Sequence, residues 1–334
     1  KFEGFWKTIH PRWDEELLSY MYNESEEGRL LDNKQYLETA LNSIFNIKED
    51  DTNATKERAY LVIGTIYGIA AQRFIPIAIV ESVINIPNYI EDEKKVELYT
   101  YYIAQAYSIL SKFQDAIAKL NKALIIRPNY IPALGNNGIA LYNQGRFSDA
   151  IECFDRVIEI SPNDAKAQAN KGVALVNLGR YDEAIGSYNE AIRIKPDDAL
   201  AWYNKGLTLR YVGRFDEAIK SYGEAVRIKP DYVEAWDNKG IVFGYLGRYE
   251  DEINCYNEAI KIKPDDALAW ANKGVALANL RRYDEAIGSY NEAIRIKPDD
   301  ALAWYNKGVT LRRLGKQEDA EGCFAKAREL GFKP

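Results

Sequence analysis

The strongest constraint on this chain is a pattern that repeats every 34 residues. Six prolines stand 34 residues apart, at Pro128, Pro162, Pro196, Pro230, Pro264 and Pro298. A fixed period of this length is typical of proteins built from stacked copies of one small unit. The pattern favours a binding scaffold over an enzyme, because an active site needs unlike residues that converge once, whereas a copied array offers the same surface repeatedly.

The first half of each unit predicts an amphipathic helix. In the unit 199–232, one face of that helix would carry Ala199, Trp202, Gly206 and Leu209, which follow the spacing of a buried stripe. Gly206 has no Cβ and therefore permits close approach of a second helix. Gly213 follows the periodic stretch and fits a left-handed C-terminal cap. The first helix is therefore predicted to end just before Gly213.

The second half of the unit predicts another helix, antiparallel to the first. Asp216 and Glu217 suit the positive end of its dipole, and Pro230 ends it. The predicted apolar stripe consists of Ala218, Tyr222, Ala225 and Val226. Since one such hairpin cannot bury both stripes alone, we expect similar hairpins to stack into a solenoid.

These residues identify a family. The motifs W-x-N-K-G and G-R-[YF]-[DE]-x-A, the following Tyr and the terminal Pro resemble the tetratricopeptide repeat. The resemblance covers seven units, at 97–130, 131–164, 165–198, 199–232, 233–266, 267–300 and 301–334. It implies an all-α fold, an α-solenoid whose helix-turn-helix hairpins form a right-handed superhelix.

Three departures from the family pattern carry expectations of their own. Glu252 replaces a small Ala and is expected to loosen the packing around it. Arg281 replaces the glycine of the cap, at an expected cost of about 1 kcal/mol. A lysine takes the position of a family Leu, so its aliphatic stem is expected to make that contact; the lysines are Lys171, Lys205, Lys239, Lys273 and Lys307.

The chain is divided into an irregular helical region, 1–96, and the seven repeats, 97–334. The first region holds one or two degenerate hairpins, of which 57–96 is the clearer. It is interpreted as a cap on the solenoid or as a separate partner surface. The last unit is not followed by the extra polar helix that usually closes such arrays. The open end suggests self-association, a homo-oligomer, or further chain beyond Pro334.

Composition argues against several classes of function. The net charge of −6 and the pI near 5.2 disfavour nonspecific nucleic-acid binding. With one histidine and no ligand cluster, we expect no metal and no cofactor. Cys153, Cys255 and Cys323 occupy one unit position and are too far apart for a disulfide. No phosphate loop or activated nucleophile is evident, and no apolar run is long enough to span a membrane. We therefore expect a cytoplasmic protein that is not an enzyme.

One face of the first helices is the predicted binding surface. It comprises unit positions 2, 5, 6, 9, 12 and 13, and it is called the groove face below, because in the family this face lines a concave groove. Position 6 is an asparagine, whose amide matches the donors and acceptors of a peptide backbone; the residues are Asn136, Asn170, Asn204, Asn238, Asn272 and Asn306. The alternative is that Asn is merely the commonest residue at this position in the family.

Other positions of the groove face differ in character. Position 9 is aliphatic in every unit from 131 onward and forms either an apolar floor or a contact shielded by neighbouring helices. Positions 5, 12 and 13 vary, as residues that determine specificity would, and they favour a partner with acidic and aromatic character. The predicted site residues there are Tyr101, Tyr203, Tyr305, Arg210, Tyr211, Tyr245, Arg312 and Arg313.

Together these patterns predict a protein–protein interaction scaffold that holds a peptide segment of a partner in its groove. Position 5 is never Lys and position 9 is never Asn in the clear units, which argues against the family's clamp for chaperone carboxyl termini. The alternatives are a non-catalytic accessory domain of a larger enzyme or assembly machine, and a self-associating scaffold.

Overall fold

The computed structural model describes residues 113–333, and within that range it contains thirteen α-helices and no strand. The predictions for 1–112, including Tyr101, lie outside the described residues. The helices are α1 (Phe113–Ile126), α2 (Ile131–Asn143), α3 (Phe147–Ile160), α4 (Ala165–Asn177), α5 (Tyr181–Ile194), α6 (Ala199–Tyr211), α7 (Phe215–Ile228), α8 (Val233–Tyr245), α9 (Tyr249–Ile262), α10 (Ala267–Asn279), α11 (Tyr283–Ile296), α12 (Ala301–Arg313) and α13 (Gln317–Glu329). The all-helical prediction is confirmed.

The helices belong to two compact units, whose boundary lies between Arg156 and Val157, within α3. In the first unit, α1 and α2 enclose a core that includes Leu120, Leu141 and Phe154. In the second unit, consecutive helices pair into five hairpins, from α4–α5 to α12–α13, and each hairpin packs on the next. This arrangement is the predicted stack of hairpins.

Aspartates begin most of the first helices. Asp198 accepts hydrogen bonds from the backbone N–H groups of Leu200 and Ala201, both at 3.1 Å. The same cap is made by Asp164, Asp266 and Asp300. A carboxylate at this position satisfies N–H groups that the helix leaves without partners, and it complements the helix dipole. The last residue of each Pro-Asp-Asp run therefore sets where the next hairpin begins.

The first helices end at a residue with left-handed backbone. Gly213 has φ 77°, and glycines take the equivalent place in most other turns. Arg281 is the exception, with φ 61°. A side chain with a Cβ is strained in this region, so the expectation of a weakened cap at Arg281 agrees with its conformation.

Replacing Arg281 with Gly is expected to raise the free energy of unfolding by about 1 kcal/mol, because the backbone strain is removed. Chemical unfolding followed by circular dichroism measures the change. The matched control is Gly213→Ala, which introduces the same strain and is expected to lower stability by a similar amount. An Arg281→Gly protein no more stable than wild type would contradict the strain argument.

The interior of each hairpin is built from a glycine on the first helix and an aromatic ring on the second. A Cβ on Gly206 would lie 2.7 Å from Cε1 of Tyr222, whose side chain is fully buried. The same pairing joins Gly172 to Tyr188, Gly274 to Tyr290 and Gly308 to Phe324. The ring thus occupies the space that the missing Cβ leaves, as predicted for Gly206.

The predicted stripe of the first helix was only half right. Gly206 and Leu209 are buried, but Ala199 and Trp202 are partly exposed, and Ala201 and Thr208 are buried instead. Trp202 packs against the buried residues Ala201 and Ala225 but keeps part of its ring exposed, and its Nε1–H donates to the carbonyl of Pro196 at 3.0 Å. Thr208 is tolerated inside because its hydroxyl donates to the carbonyl of Asn204 at 2.9 Å.

Four of the five lysines at the family's Leu position are half-buried against tryptophan, namely Lys205, Lys239, Lys273 and Lys307. The Lys205 ammonium lies 5.1 Å from the centre of the Trp202 ring, and Lys273 lies 5.0 Å from that of Trp270. Burial lowers the pKa of both lysines. The contact is therefore a cation–π interaction as well as the expected packing of an aliphatic stem.

Candidate functional site

The structure places the predicted asparagines at equivalent positions on successive first helices. Asn136 lies on α2, in the first compact unit. The other five lie on α4, α6, α8, α10 and α12, in the second, and all six are half-buried. In the second unit, one amide therefore recurs on each consecutive hairpin along the groove face.

Two of these amides already make contacts within the chain. Nδ2 of Asn136 donates to the carbonyl of Pro132 at 2.8 Å. Nδ2 of Asn238 donates to the carbonyl of Glu234 at 2.8 Å and to the Tyr203 hydroxyl at 3.3 Å. Because these bonds use the amide N–H groups, Asn238 offers a partner chiefly its carbonyl oxygen as an acceptor.

The aliphatic residues of the groove face are partly accessible. Val275 is exposed, and the residues at the same position in the other units are half-buried, namely Ile139, Val173, Leu207, Ile241 and Val309. Leu200, Leu268 and Leu302, at position 2, are more than half exposed. These leucines were not among the predicted site residues. The sequence does distinguish them, because position 2 is Leu in these three units, whereas other units carry Pro132, Lys166 or Glu234 there.

The two tyrosines at position 5 that the structure describes, Tyr203 and Tyr305, are half-buried against neighbouring rings. The Tyr203 ring lies 4.9 Å from that of Tyr232 and 5.9 Å from that of Tyr222. The Tyr305 ring stacks on Phe332 with centroids 4.3 Å apart. Only Tyr203 reaches the next hairpin, because its hydroxyl accepts a hydrogen bond from Nδ2 of Asn238 on α8. The ring partners of Tyr305, Phe324 and Phe332, lie in its own hairpin and in the residues that follow it.

The two tyrosines at position 13 are instead the exposed ones. Tyr211 is 73% exposed and Tyr245 is 64% exposed. Each ring nevertheless lies against another, with Tyr211 at 4.8 Å from Tyr181 and Tyr245 at 5.5 Å from Phe215. They are therefore held in place and open to solvent.

The predicted arginines differ in their surroundings. Arg312 and Arg313 are exposed, and the Arg312 guanidinium lies 5.4 Å from the centre of the Phe324 ring. Arg210 is half-buried beside Tyr222. Its Nε and the Tyr222 hydroxyl are buried, and neither makes a hydrogen bond of good geometry within the described residues. Burial raises the pKa of Tyr222, and the nearby Arg210 cation opposes that rise.

Asp237 stands at position 5, where the neighbouring unit has Tyr203. Burial, together with the negative charges of Asp266 and Glu234, raises the pKa of its carboxyl to about 6. Its Oδ1 is buried without a hydrogen bond in the described part of the chain. The groove face therefore carries the carboxyl group of Asp237 near the start of α8 and the guanidinium of Arg210 near the end of α6.

Within residues 113–333 we find no cluster of three His, Cys, Asp or Glu side chains that could hold a metal ion. The three cysteines are free. Burial raises the pKa of Cys153 to about 11 and that of Cys255 to about 12, so both thiols stay protonated and unreactive near neutral pH. None of the helices in this range is both long and apolar enough to cross a membrane.

The structure thus defines a class of protein, an array of helical hairpins with one repeated face. Three sequence models of the tetratricopeptide repeat match the chain, over 136–199 and 238–301, over 199–232, and over 289–322. Together the matches cover more than half of the chain, and the chain belongs to the tetratricopeptide repeat family. Proteins of this family bind protein partners and are generally non-catalytic, which supports an interaction scaffold. A search of curated proteins found no significant match.

Solved structures share this fold. A tetratricopeptide repeat protein from Parabacteroides merdae has a TM-score of 0.53 and 16% identity, over 72% of this chain and 94% of that one. YrrB, a tetratricopeptide repeat protein with an unusual peptide-binding site, has a TM-score of 0.49 and 24% identity, over 54% and 93%. MamA from Desulfovibrio magneticus has a TM-score of 0.47 and 22% identity, over 50% and 94%.

Proposed function

We propose that this protein is a scaffold whose groove face holds an extended segment of a partner protein. The observation that carries the proposal is the recurrence of Asn beside an aliphatic residue on every consecutive hairpin of the second unit. An extended backbone presents donors and acceptors at regular intervals, and a row of amides matches them. The partly exposed aliphatic residues supply apolar surface next to those polar groups.

The binding affinity expected from such a row of amides is moderate. Each hydrogen bond contributes about 0.5–1.5 kcal/mol net, and ordering an extended segment opposes part of that gain. Several amides acting together, with apolar contacts from residues such as Leu268 and Val275, are consistent with dissociation constants of about 1 μM. Reversible binding of this strength suits a scaffold that exchanges partners.

The test is a variant that removes three amides, Asn204→Ala, Asn238→Ala and Asn272→Ala together. We expect it to stay folded, because these side chains are half-buried on the surface of their helices. We expect partner binding to weaken about tenfold or more, in line with the loss of two or three hydrogen bonds. Affinity capture followed by titration calorimetry with the captured partner measures the effect.

The matched control removes three amides from the second helices, at Asn189, Asn257 and Asn291, which are exposed and lie outside the groove face. This control is expected to bind as wild type does. If the groove variant binds its partner as tightly as the control, the proposal is wrong. Circular dichroism of both variants checks that neither change has unfolded the array.

A further inference from the structure

A row of exposed apolar side chains follows the turns of three consecutive hairpins. The row starts where α4, α6 and α8 end, at unit positions 13 and 14, and it is called the turn ridge here. Because position 14 is not part of the groove face, the ridge extends beyond that face. Exposed apolar surface that continues from one unit to the next marks an interaction site. Its members are between 36% and 73% exposed, and they are Leu178, Tyr211, Val212, Tyr245 and Leu246.

The two tyrosines of the ridge are held by equivalent contacts. The Tyr211 ring lies 4.8 Å from that of Tyr181, and the Tyr245 ring lies 5.5 Å from that of Phe215. In both cases the ring partner is the first residue of the second helix in the preceding unit. A ring that is fixed in this way loses little conformational freedom when a partner covers it. Since α6 contacts α8, the two tyrosines stand about 10 Å apart, which is the spacing of packed helices.

An acid follows each of the two ring partners. Asp182 comes directly after Tyr181, and Asp216 comes directly after Phe215. The Asp182 side chain is 94% exposed, and its ion pair is a long contact of 3.7 Å with Arg214. Asp216 is exposed and forms no ion pair with any residue in the range 113–333. Both carboxylates are therefore open to a cation from a partner.

The arginines of the same turns do not cancel these two acids. Each arginine is held by a glutamate three residues later, as in Arg180–Glu183 and Arg214–Glu217, both at 2.7 Å. The expectation of an acidic partner rested in part on the arginines of the groove face, but the charge in excess at the ridge is negative. A Lys or Arg side chain suits such a surface, because its stem packs on a tyrosine ring while its cation meets the ring face and the carboxylate.

We propose that the turn ridge is a second interaction surface, which binds an extended basic segment of a partner protein. Two Lys or Arg side chains of that segment lie on Tyr211 and Tyr245 and pair with Asp182 and Asp216. Residues i and i+3 of an extended chain are about 10 Å apart, so the two cations stand three residues apart in the partner. Apolar side chains of the segment pack on the other members of the ridge. The asparagines of the groove face take no part in this contact.

Other units provide the substitution that tests the tyrosines. Position 13 is Asn in three other first helices, at Asn143, Asn177 and Asn279. The combination of Tyr211→Asn and Tyr245→Asn, called the tyrosine variant, therefore copies a residue that the array already accommodates. Circular dichroism checks that this variant is folded.

The experiment selects random 12-residue peptides displayed on phage for binding to the full chain. Peptides that also bind the tyrosine variant are then removed. We expect the remaining peptides to carry two Lys or Arg residues three positions apart, with apolar residues beside them. Fluorescence anisotropy with labelled copies of these peptides is expected to show binding to the tyrosine variant that is weaker by about tenfold or more.

The acids are tested with the same labelled peptides. Asp182→Asn combined with Asp216→Asn is expected to weaken binding about fivefold and to reduce its salt dependence, because two exposed ion pairs are lost. The matched control is Asp284→Asn, which removes an exposed acid at the same unit position on α11. Position 13 of the following unit is there Arg313 instead of a tyrosine, so the control is expected to bind the peptides as wild type does.

Three results would overturn the inference. The first is a selection in which no peptide distinguishes wild type from the tyrosine variant, and the second is a set of ridge-dependent peptides without basic residues. The third is a dimer of the wild-type chain that the tyrosine variant abolishes in sedimentation velocity, because the occupant of the ridge would then be a second copy. Since every variant keeps the asparagines of the groove face, any of these results leaves the proposed function standing.

Discussion

Replacing Gly206 with Ala is expected to lower the free energy of unfolding by about 3 kcal/mol, through overpacking of the hairpin interior. The new Cβ would stand 2.7 Å from Cε1 and 2.8 Å from Cδ1 of Tyr222. The ring has no room to retreat, because Tyr222 is fully buried. Either the two helices must separate or the ring must leave its preferred rotamer, and both lose contacts along the hairpin.

Urea unfolding followed by circular dichroism measures this change. The matched control is Gly288→Ala, in the middle of α11, where nothing outside that helix lies within 4 Å of the added Cβ. That substitution is expected to stabilise the protein by up to about 1 kcal/mol, because Ala is the better helix former. Replacing these two helical glycines with Ala should therefore change the free energy of unfolding in opposite directions. Equal responses would show that the packing against Tyr222 does not matter.

The second large effect concerns Glu252, a buried carboxyl in place of the family's small residue. Glu252 is 7% exposed, and burial raises the pKa of its carboxyl from 4.5 to about 7. The hairpin that holds Glu252 is packed slightly less closely, as expected: a Cβ on Gly240 would lie 3.1 Å from the Tyr256 ring, against 2.7 Å at Gly206 and 2.6 Å at Gly274 in the neighbouring hairpins. Gly244 lies opposite on α8, where an added Cβ would be 2.9 Å from Oε2 of Glu252. The missing side chain at Gly244 makes room for the larger one.

Because its pKa is raised, the buried Glu252 carboxyl makes the free energy of unfolding fall as the pH rises. The folded protein holds the proton more tightly than the unfolded chain, so the stabilising effect of the protonated acid is present below about pH 4.5. It is lost as the pH rises through about 7. Relative to Glu252→Gln, wild type is therefore expected to lose about 2.5 kcal/mol of unfolding free energy between pH 5 and pH 8.

Unfolding in urea at the two pH values measures this difference directly. The control is Glu159→Gln, which removes an exposed carboxyl and should leave the pH dependence unchanged. A double substitution tests whether the missing side chain at Gly244 makes room for Glu252. Gly244→Ala alone is expected to destabilise the protein, whereas Gly244→Ala combined with Glu252→Ala is expected to be tolerated. If Glu252→Gln follows the same pH profile as wild type, the buried acid is not the source of the dependence.

The repeat pattern made much of the fold predictable. The proline spacing, the Gly-Arg turns and the apolar stripe of the second helix predicted antiparallel hairpins, and Ala218, Tyr222, Ala225 and Val226 are all buried. These features are local, because a cap, a turn or a helical period depends on residues that are close in sequence. The seven-unit count and the region 1–96 stay predictions, since they extend beyond the described residues.

The first helix was predicted less well, for a physical reason. Helical periodicity places Trp202 on the same stripe as Gly206, but periodicity does not say how a large ring lies on its helix. The indole N–H donates to the carbonyl of Pro196 and the Lys205 ammonium lies over the ring, so Trp202 packs against buried residues while part of it stays exposed. The predicted site residues share a repeated face by virtue of the period alone, and their binding role stays a proposal.

The sequence by itself determined the hairpin, its period and the identity of the residues on each face. Only the tertiary structure decided which of those residues meet across a junction. Tyr203 reaches Asn238, Tyr245 lies on Phe215, and Gly244 admits Glu252 because stacking brings together positions that are separated by about one repeat or face each other within a hairpin. Such contacts depend on the distance and angle between packed helices, which no local sequence pattern specifies.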